Sequence, residues 1–258
     1  GVQTCALPIF CPNSVALTSA AFPVSNYRRY YINTSPIVAV KASPTSVCAN
    51  NNDTLSVILS IAGNVTIGTG TSTSSTYTPY YGSTTLARRI QYLITAAELQ
   101  SAGLVAGNIT DISFDIASVP TAFTIGDFSL KMGQTSAPAL TSTFSPDASV
   151  TVYGPTPYSP SVGINTHNLN TPFSWDGTSN IIIEACHGVT GTASLTTVKY
   201  VSGLPSGIST YSTNAAGCTQ TTGTTTTIRP NIIFKGQSNQ NINYTNFVWN
   251  NGIANVGN

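Results

Sequence analysis

The chain has 258 residues, and only 7% of them are charged, 9 Lys or Arg against 8 Asp or Glu, whereas soluble domains carry about 25%. A net charge of +1 without a basic run leaves nothing to neutralise phosphates, which argues against nucleic-acid binding, and no apolar run reaches the roughly 18 residues of a membrane-spanning helix. Polarity comes instead from 39 Thr, 30 Ser and 22 Asn, while 41% hydrophobic residues suffice for a core, so the low charge does not indicate disorder. Because Thr-, Val- and Ile-rich sequence broken by 21 Gly and 15 Pro favours strands and turns, we expect an all-β exported protein.

The N-terminal region is the least regular part of the sequence. Residues 1–9 resemble the translation of a sequencing adapter, and we expect them to be an artefact. Within residues 10–61, the pattern predicts an edge strand from Ile37, a turn, and a second strand at residues 54–57. This stretch resembles the opening of the Ig-like or PKD-like repeats of bacterial surface proteins. It therefore predicts a partial Ig-like segment or extra strands.

From residue 62 onward, apolar alternation and turn residues recur. Residues 109–116 place Ile112, Phe114 and Ile116 on one strand face, and residues 180–186 are almost continuously apolar, which predicts a central strand buried on both faces. The predicted strands lie at residues 88–94, 109–116, 128–132, 150–153, 166–173, 180–186, 196–201 and 228–235, and residues 65–67 lead into a low-complexity run. Such strands predict a jelly-roll-like antiparallel β-sandwich over residues 62–236, followed at 237–258 by a linker and the start of a truncated next domain.

One short helix is predicted beside these strands. Thr95 as N-cap with Glu98 three residues later forms a capping box, and Gly103 provides the C-terminal stop. About seven residues are too few for a helix that is stable alone, so we expect it to plug one end of the sandwich.

The cysteines fit an exported protein. Cys11, Cys48, Cys186 and Cys218 form an even set without any C-x-x-C spacing, which argues against zinc-ribbon and thioredoxin-like sites. Nearest-neighbour disulfides, Cys11 with Cys48 and Cys186 with Cys218, and free buried thiols are both open. Cys186 and His187 are adjacent on a strand and point to opposite faces, so they do not form a catalytic dyad.

Several motifs carry a family resemblance. They are TIGTGT at 66–71, YTPY at 77–80, RIQYLITAAEL at 89–99, AGL at 102–104, GNIT at 107–110, TPFSWDGTSN at 171–180 and RPNIIF at 229–234. Together they resemble a recurrent β-sandwich module of large exported cell-surface proteins of Bacteroidota-type bacteria, over roughly residues 64–235. The resemblance implies an extracellular or cell-surface location beside Ig-like repeats and implies no catalytic residues. Asp53-Thr54-Leu55 resembles the O-glycan acceptor of this bacterial group, which predicts glycosylation at Thr54.

Catalytic chemistry finds few candidate residues. Asp111 and Asp115 share a strand face but lie about 13 Å apart by strand rise, too far for a glycosidase pair. There is no G-x-S-x-G elbow. His167 and His187 are predicted to be turn or surface residues, and we expect no enzyme activity.

Two polar clusters have both structural and functional interpretations. Asp176 and Asn180 lie in a tight turn, where calcium binding is the alternative to a purely structural role; no other cofactor is expected. Arg88 and Arg89 are predicted to form a solvated or rim ion pair with Glu98 rather than an anion site.

The composition favours a contact function over catalysis. The candidate ligand-binding residues are the aromatics predicted to be exposed, Tyr77, Tyr80, Tyr81, Tyr153 and Tyr158. They suit surface glycans or protein partners and predict a non-catalytic module for adhesion, matrix or carbohydrate contact. The alternatives are a self-assembling structural subunit, in which residues 37–61 or 244–249 add a strand to a neighbour's sheet, and an ancillary module of a secreted hydrolase.

Overall fold

A computed structural model describes the backbone of residues 15–16, 37–43, 46–47 and 54–239, and the side chains of residues 60–239. The chain divides into two compact units, one formed by residues 1–61 and 241–258 and the other by residues 62–240.

The first unit contains two small antiparallel pairings. Strand β1 (Val15–Ala16) pairs with β3 (Ser46–Val47). Strand β2 (Ile37–Ser43) pairs with the first part of β4 (Thr54–Ile67), from Ile37 opposite Ser60 to Ser43 opposite Thr54. The two predicted strands of this region therefore pair with each other.

The second unit is an antiparallel β-sandwich of two sheets. The first sheet uses the rest of β4 with β5 (Ser72–Ser74), β7 (Gly107–Ser118), β10 (Gly163–Trp175), β12 (Thr197–Val201), β15 (Arg229–Pro230) and β16 (Ile232–Ser238). The second sheet comprises β6 (Ala87–Ile94), β8 (Ile125–Thr135), β9 (Val150–Tyr158), β11 (Asn180–His187), β13 (Ser209–Asn214) and β14 (Thr224–Thr226).

The strand order is that of a jelly roll. Four strands of the first sheet lie in the order β4, β16, β7, β10, and four of the second in the order β6, β11, β8, β9. Of these eight strands in chain order, only β8 and β9 follow each other within one sheet, and this order forms two interlocked Greek keys. The jelly-roll-like all-β prediction is confirmed. The chain between β11 and β16 adds strands at one side of each sheet.

The core lies between the two sheets, as the alternation predicts. Ile112, Phe114 and Ile116 of β7 are buried in it. On β11, Ile183 joins this core, whereas Ile182 packs on the opposite face of the second sheet. Strand β11 is therefore buried on both faces, as predicted.

The outer face of the second sheet is covered by residues 139–148, here named the strap. Leu140 and Ala148 of the strap pack with Leu93, Ile182 and Ile208. The strap backbone lies so close to the sheet that a Cβ on Gly133 would come within 1.6 Å of the carbonyl oxygen of Asp147. Glycine is required there because any side chain would displace the strap.

The only helix among the described residues, apart from a short 3-10 turn at Gly217–Thr219, is α1 (Ala96–Ser101). Thr95 and Glu98 form the predicted capping box, and Gly103 follows the helix with a φ of 91°. Leu99 is its buried residue. A helix of six residues with one buried side chain is too short to be stable alone, so it depends on the sandwich for its stability.

Candidate functional site

The tyrosines predicted to contact a ligand fall into two groups, of which the first surrounds His167. The ring centroids of Tyr80, Tyr153 and Tyr158 lie 5.9, 4.6 and 4.4 Å from that of His167. Tyr80 is fully buried, so the prediction that it is exposed is wrong, and the other two are half-buried. The reason is that the Tyr80 ring packs into the core against Phe128, at 5.2 Å.

His167 is held neutral in the core. Its Nε2 shares a hydrogen bond of 2.6 Å with the Tyr80 hydroxyl, and its Nδ1 has no partner among the described residues. Burial lowers the pKa of His167 to about 3 and raises the pKa of Tyr80 well above its ordinary value. The prediction of a surface histidine is wrong because His167 shares the inward face of β10 with the buried Asn165.

His187, at the end of β11, is also buried, which corrects the second histidine prediction. Its Nε2 accepts a hydrogen bond of 3.3 Å from the Tyr81 backbone N–H, and Nδ1 lies 2.7 Å from the carbonyl oxygen of Gly188. Burial lowers the pKa of His187. The adjacent Cys186 forms a disulfide bond with Cys218, so its sulfur is not a free nucleophile.

The second tyrosine group encloses Arg88. Tyr77 and Tyr81 are half-buried, and the Arg88 guanidinium lies 5.7 Å from the ring centroid of Tyr81 and 5.1 Å from that of Tyr211. It donates a hydrogen bond of 2.7 Å to Thr213 Oγ1, and burial lowers its pKa to about 10. Two cation–π contacts thus take the place of the carboxylate that usually partners a buried arginine. Arg88 itself is only 1% exposed, and ligand binding by the half-buried Tyr77 and Tyr81 stays a prediction.

The predicted ion pair of Arg88 and Arg89 with Glu98 is wrong. Glu98 Oε1 lies 2.6 Å from Arg229 Nη2, and Arg89 Nη2 lies 2.7 Å from Glu184 Oε2. Adjacent arginines on β6 point to opposite faces, so they do not meet one carboxylate.

Glu184 carries the main buried charge under the strap. Its side chain is 1% exposed. Oε2 accepts hydrogen bonds from Arg89 Nη2 at 2.7 Å and from Gln91 Nε2 at 2.8 Å, and Lys131 Nζ lies 3.8 Å from Oε1. Phe144 of the strap covers Arg89, with 4.5 Å between guanidinium and ring centroid. The carboxylate is therefore neutralised and out of reach of a substrate.

The Asp176 turn has the geometry of the structural interpretation. The carboxylate accepts hydrogen bonds from the backbone N–H groups of Thr178 and Ser179, at 2.8 and 2.7 Å. The Ser179 hydroxyl donates a further hydrogen bond of 2.6 Å to Asp176 Oδ2. This bond first, and then the two backbone bonds, lower the pKa of Asp176 to about 2. Asn180 Oδ1 accepts from the Ala96 N–H at 2.8 Å, so both predicted calcium ligands already accept backbone hydrogen bonds. Calcium binding here stays a prediction.

The outer face of the first sheet is the accessible one. Ser113 and Asp115 of β7 point to it, since Ile112 and Phe114 point into the core. Ile164 on β10, opposite Asp115, is 52% exposed, and Thr66 and Thr166 on the same face are exposed as well.

This face carries two separate ion pairs and a shallow groove. Asp115 pairs with Lys199 at 2.9 Å and Asp111 with Lys235 at 3.8 Å, so the two aspartates do not form a catalytic pair. The groove is a depression of about 250 Å³ lined by Thr66, residues 68–71, Asp115, Lys199, Asn231 and Ile233.

Sequence reasoning missed Lys199 and Asn231 as groove residues. The TIGTGT motif lies at one wall, but Asn231 is 161 residues from the Gly70 that it holds. Only the sheet pairing brings them together.

Three predicted residues, Cys11, Cys48 and Thr54, lie where no side chain is described. The strand expected at residues 244–249 also lies outside the described residues. Their predicted roles stay predictions.

The described residues contain no cluster of three or more His, Cys, Asp or Glu side chains that could hold a metal ion. None of their helices is long and apolar enough to cross a membrane. No protein-family profile, curated protein or solved structure shows significant similarity to this chain.

Proposed function

We propose that the β-sandwich is a non-catalytic contact module of an extracellular or cell-surface protein, and that it binds its partner through the outer face of its first sheet. The observation that carries this proposal is the contrast between that face and its counterpart. The strap covers the second sheet, whereas the first sheet leaves Thr66, Ile164 and Thr166 exposed.

The chemistry of the exposed face suits an uncharged partner. Its charges occur as the pairs Asp115–Lys199 and Asp111–Lys235, so little net charge is presented. Hydroxyl groups fill the space between them, as in the Ser113–Thr166 hydrogen bond of 2.9 Å. Surface glycans and neutral protein surfaces match such a face better than polyanions do.

The disulfide bond supports an exported location. Cys186 and Cys218 are bonded in the structure, and such bonds persist mainly in oxidising compartments. Adhesion, matrix contact and carbohydrate contact are the functions that we propose for this location and the exposed face.

A paired substitution tests the proposal. Thr166→Arg places a long cation on the open face, and Ser149→Arg places the same charge at an exposed position beside the strap. The full chain is immobilised, and its binding to a glycan array, to matrix proteins and to whole cells is measured. We expect Thr166→Arg to weaken binding at least tenfold and Ser149→Arg to leave it within twofold. Equal effects of the two variants, or no binding by the parent chain, would contradict the proposal.

Strand addition is a second candidate, favoured by one edge of the sandwich. Among the described strands, β10 pairs only with β7 and therefore has one free edge. The neighbouring edge strand β9 carries Pro155 and Pro157, which lack the N–H that strand addition needs. A concentration-dependent dimer lost on blocking the β10 edge would support self-assembly, and a strictly monomeric chain would contradict it. The ancillary role beside a secreted hydrolase stays a prediction.

A further inference from the structure

The groove on the open face has a fixed wall. The Gly70 N–H donates to Asn231 Oδ1 at 3.0 Å, and Asn231 Nδ2 donates back to the Gly70 carbonyl at 2.8 Å. The Gly70 backbone lies so close to Tyr200 that a Cβ would come within 1.8 Å of its carbonyl oxygen. Residues 68–71, although they look like a flexible low-complexity run, are therefore held in place before any ligand arrives.

The floor of the groove presents a hydrogen-bond acceptor and a donor side by side. Asp115 Oδ2 lies 2.9 Å from Lys199 Nζ, and the two side chains are 19% and 40% exposed. The ammonium has three N–H donors and uses one on Asp115, and an ionised carboxylate accepts through both oxygens. Adjacent hydroxyl groups of a ligand match this arrangement, because one can donate to Asp115 while its neighbour accepts from Lys199.

The surroundings restrict the ligand further. An anion would meet the Asp115 carboxylate, and a cation would meet a carboxylate already neutralised by Lys199. Ile233 lines the groove and Ile164 lies opposite Asp115 on the next strand, so aliphatic surface is available for the C–H face of a sugar ring. A volume of about 250 Å³ lies below the roughly 300–1,000 Å³ of pockets for drug-sized ligands, which limits the ligand to about one ring.

We propose that this groove binds a single uncharged sugar residue of a glycan, with Asp115 and Lys199 recognising adjacent hydroxyl groups and residues 68–71 forming the wall. This inference rests on the proposed contact function and specifies its ligand class. The affinity of one such shallow site is weak, in the millimolar range that multivalent display raises.

Titration of the full ¹⁵N-labelled chain with glucose, galactose, mannose and N-acetylglucosamine tests this directly, with glucuronate and glucosamine as charged comparisons. We expect at least one neutral sugar to shift the amide resonances of Thr69, Gly70 and Asn231 at millimolar concentration. We expect the charged sugars to bind at least threefold more weakly than their neutral counterpart.

Two variants on one strand provide the matched comparison. Asp115→Asn removes the groove carboxylate, and Asp111→Asn removes the carboxylate of the other ion pair on the same face. We expect Asp115→Asn to weaken sugar binding at least tenfold and Asp111→Asn to leave it within twofold. Thr69→Val, at an exposed wall position, is the second probe should Asp115→Asn alter the fold, and we expect a loss of at least threefold.

The outcomes separate this inference from the proposed function. If no neutral sugar shifts the groove amides, or if Asp115→Asn and Asp111→Asn bind equally, the inference is overturned. Should Thr166→Arg still abolish surface contact in that case, the contact function stands without the sugar site. If the groove binds a sugar but the chain contacts no cell, matrix or glycan surface, the sugar site stands and the proposed contact function is overturned.

Discussion

The carboxylates on the outer faces of the two sheets differ in how far their ion pairs are exposed to solvent. On the second sheet, the strap places Glu184 out of solvent, where three side chains from two strands surround its carboxylate. On the first sheet, Asp115 and Asp111 each pair with one lysine whose side chain is 40% or 54% exposed. Ion pairs are therefore enclosed on one face and partly exposed on the other, because the strap covers the second sheet whereas Thr66, Ile164 and Thr166 are exposed on the first.

The largest expected difference between the faces concerns their carboxylates. Glu184→Ala leaves Arg89 and Gln91 without their shared acceptor beneath the strap. We expect a loss of about 3 to 5 kcal/mol in the free energy of unfolding, since the remaining charge is poorly solvated. Asp111→Ala is the control, and we expect about 1 kcal/mol or less because Lys235 is 54% exposed. Urea unfolding measures both, and equal losses would remove the distinction between the faces.

The disulfide bond is a second feature that is expected to stabilise the covered face more than the open one. It joins β11 to the 3-10 turn, and the adjoining residues contact the strap through the Phe144 N–H and the carbonyl oxygen of Thr221, at 2.9 Å. Because its cysteines have a sequence separation of 32, removal of the bond by Cys186→Ser and Cys218→Ser is expected to cost about 3 to 4 kcal/mol by loop-closure entropy.

Hydrogen exchange shows where that loss is felt. We expect the strap amides to exchange faster in the double variant because the strap opens locally. The β10 amides on the open side should change only as much as the free energy of global unfolding does. Uniform acceleration across both sheets would show that the bridge does not act on the covered face in particular.

The smallest effect concerns the core between the faces and depends on pH. The pKa of His167 is about 3 in the folded chain and near 6.5 in the unfolded chain, so below pH 6.5 the unfolded state binds the proton first. The contribution of neutral His167 to the free energy of unfolding is therefore fully present above pH 6.5, and it is lost as the pH decreases towards 3. Between pH 7 and pH 5 we expect a loss of about 2 kcal/mol from His167, to which His187 adds in the same direction.

A double variant identifies the residue responsible. His167→Phe with Tyr80→Phe removes the titrating ring and its hydroxyl partner together, and we expect the slope between pH 7 and pH 5 to fall by about half or more. Asp115→Asn on the open face should leave that slope unchanged, because Asp115 points away from the core in which His167 is buried. An unchanged slope in the double variant would contradict the assignment to His167.

The strand pattern was predictable because it depends on neighbouring residues. Ile112, Phe114 and Ile116 alternate with polar residues, and alternation alone places them on one face. The capping box of Thr95 and Glu98 is likewise local, since its hydrogen bonds span three residues.

The candidate site was predictable only in part. The tyrosines were identified as aromatic surface, but Tyr80 packs in the core because its neighbours there come from three other strands. A polar His167 gave no sign of burial, since its place in the core follows from sheet packing and from the hydrogen bond to Tyr80.

The sequence by itself determined the class of this protein: alternating apolar residues and frequent turns leave few folds other than a two-layer sandwich, because each strand must bury one face. It also determined the scarcity of charge. Only the tertiary structure decided which charges meet and which face is covered. Arg89 reaches Glu184 across 95 residues, and Asn231 reaches Gly70 across 161. Such contacts depend on strand order and register, and these are fixed by the packing of the whole core rather than by any local pattern.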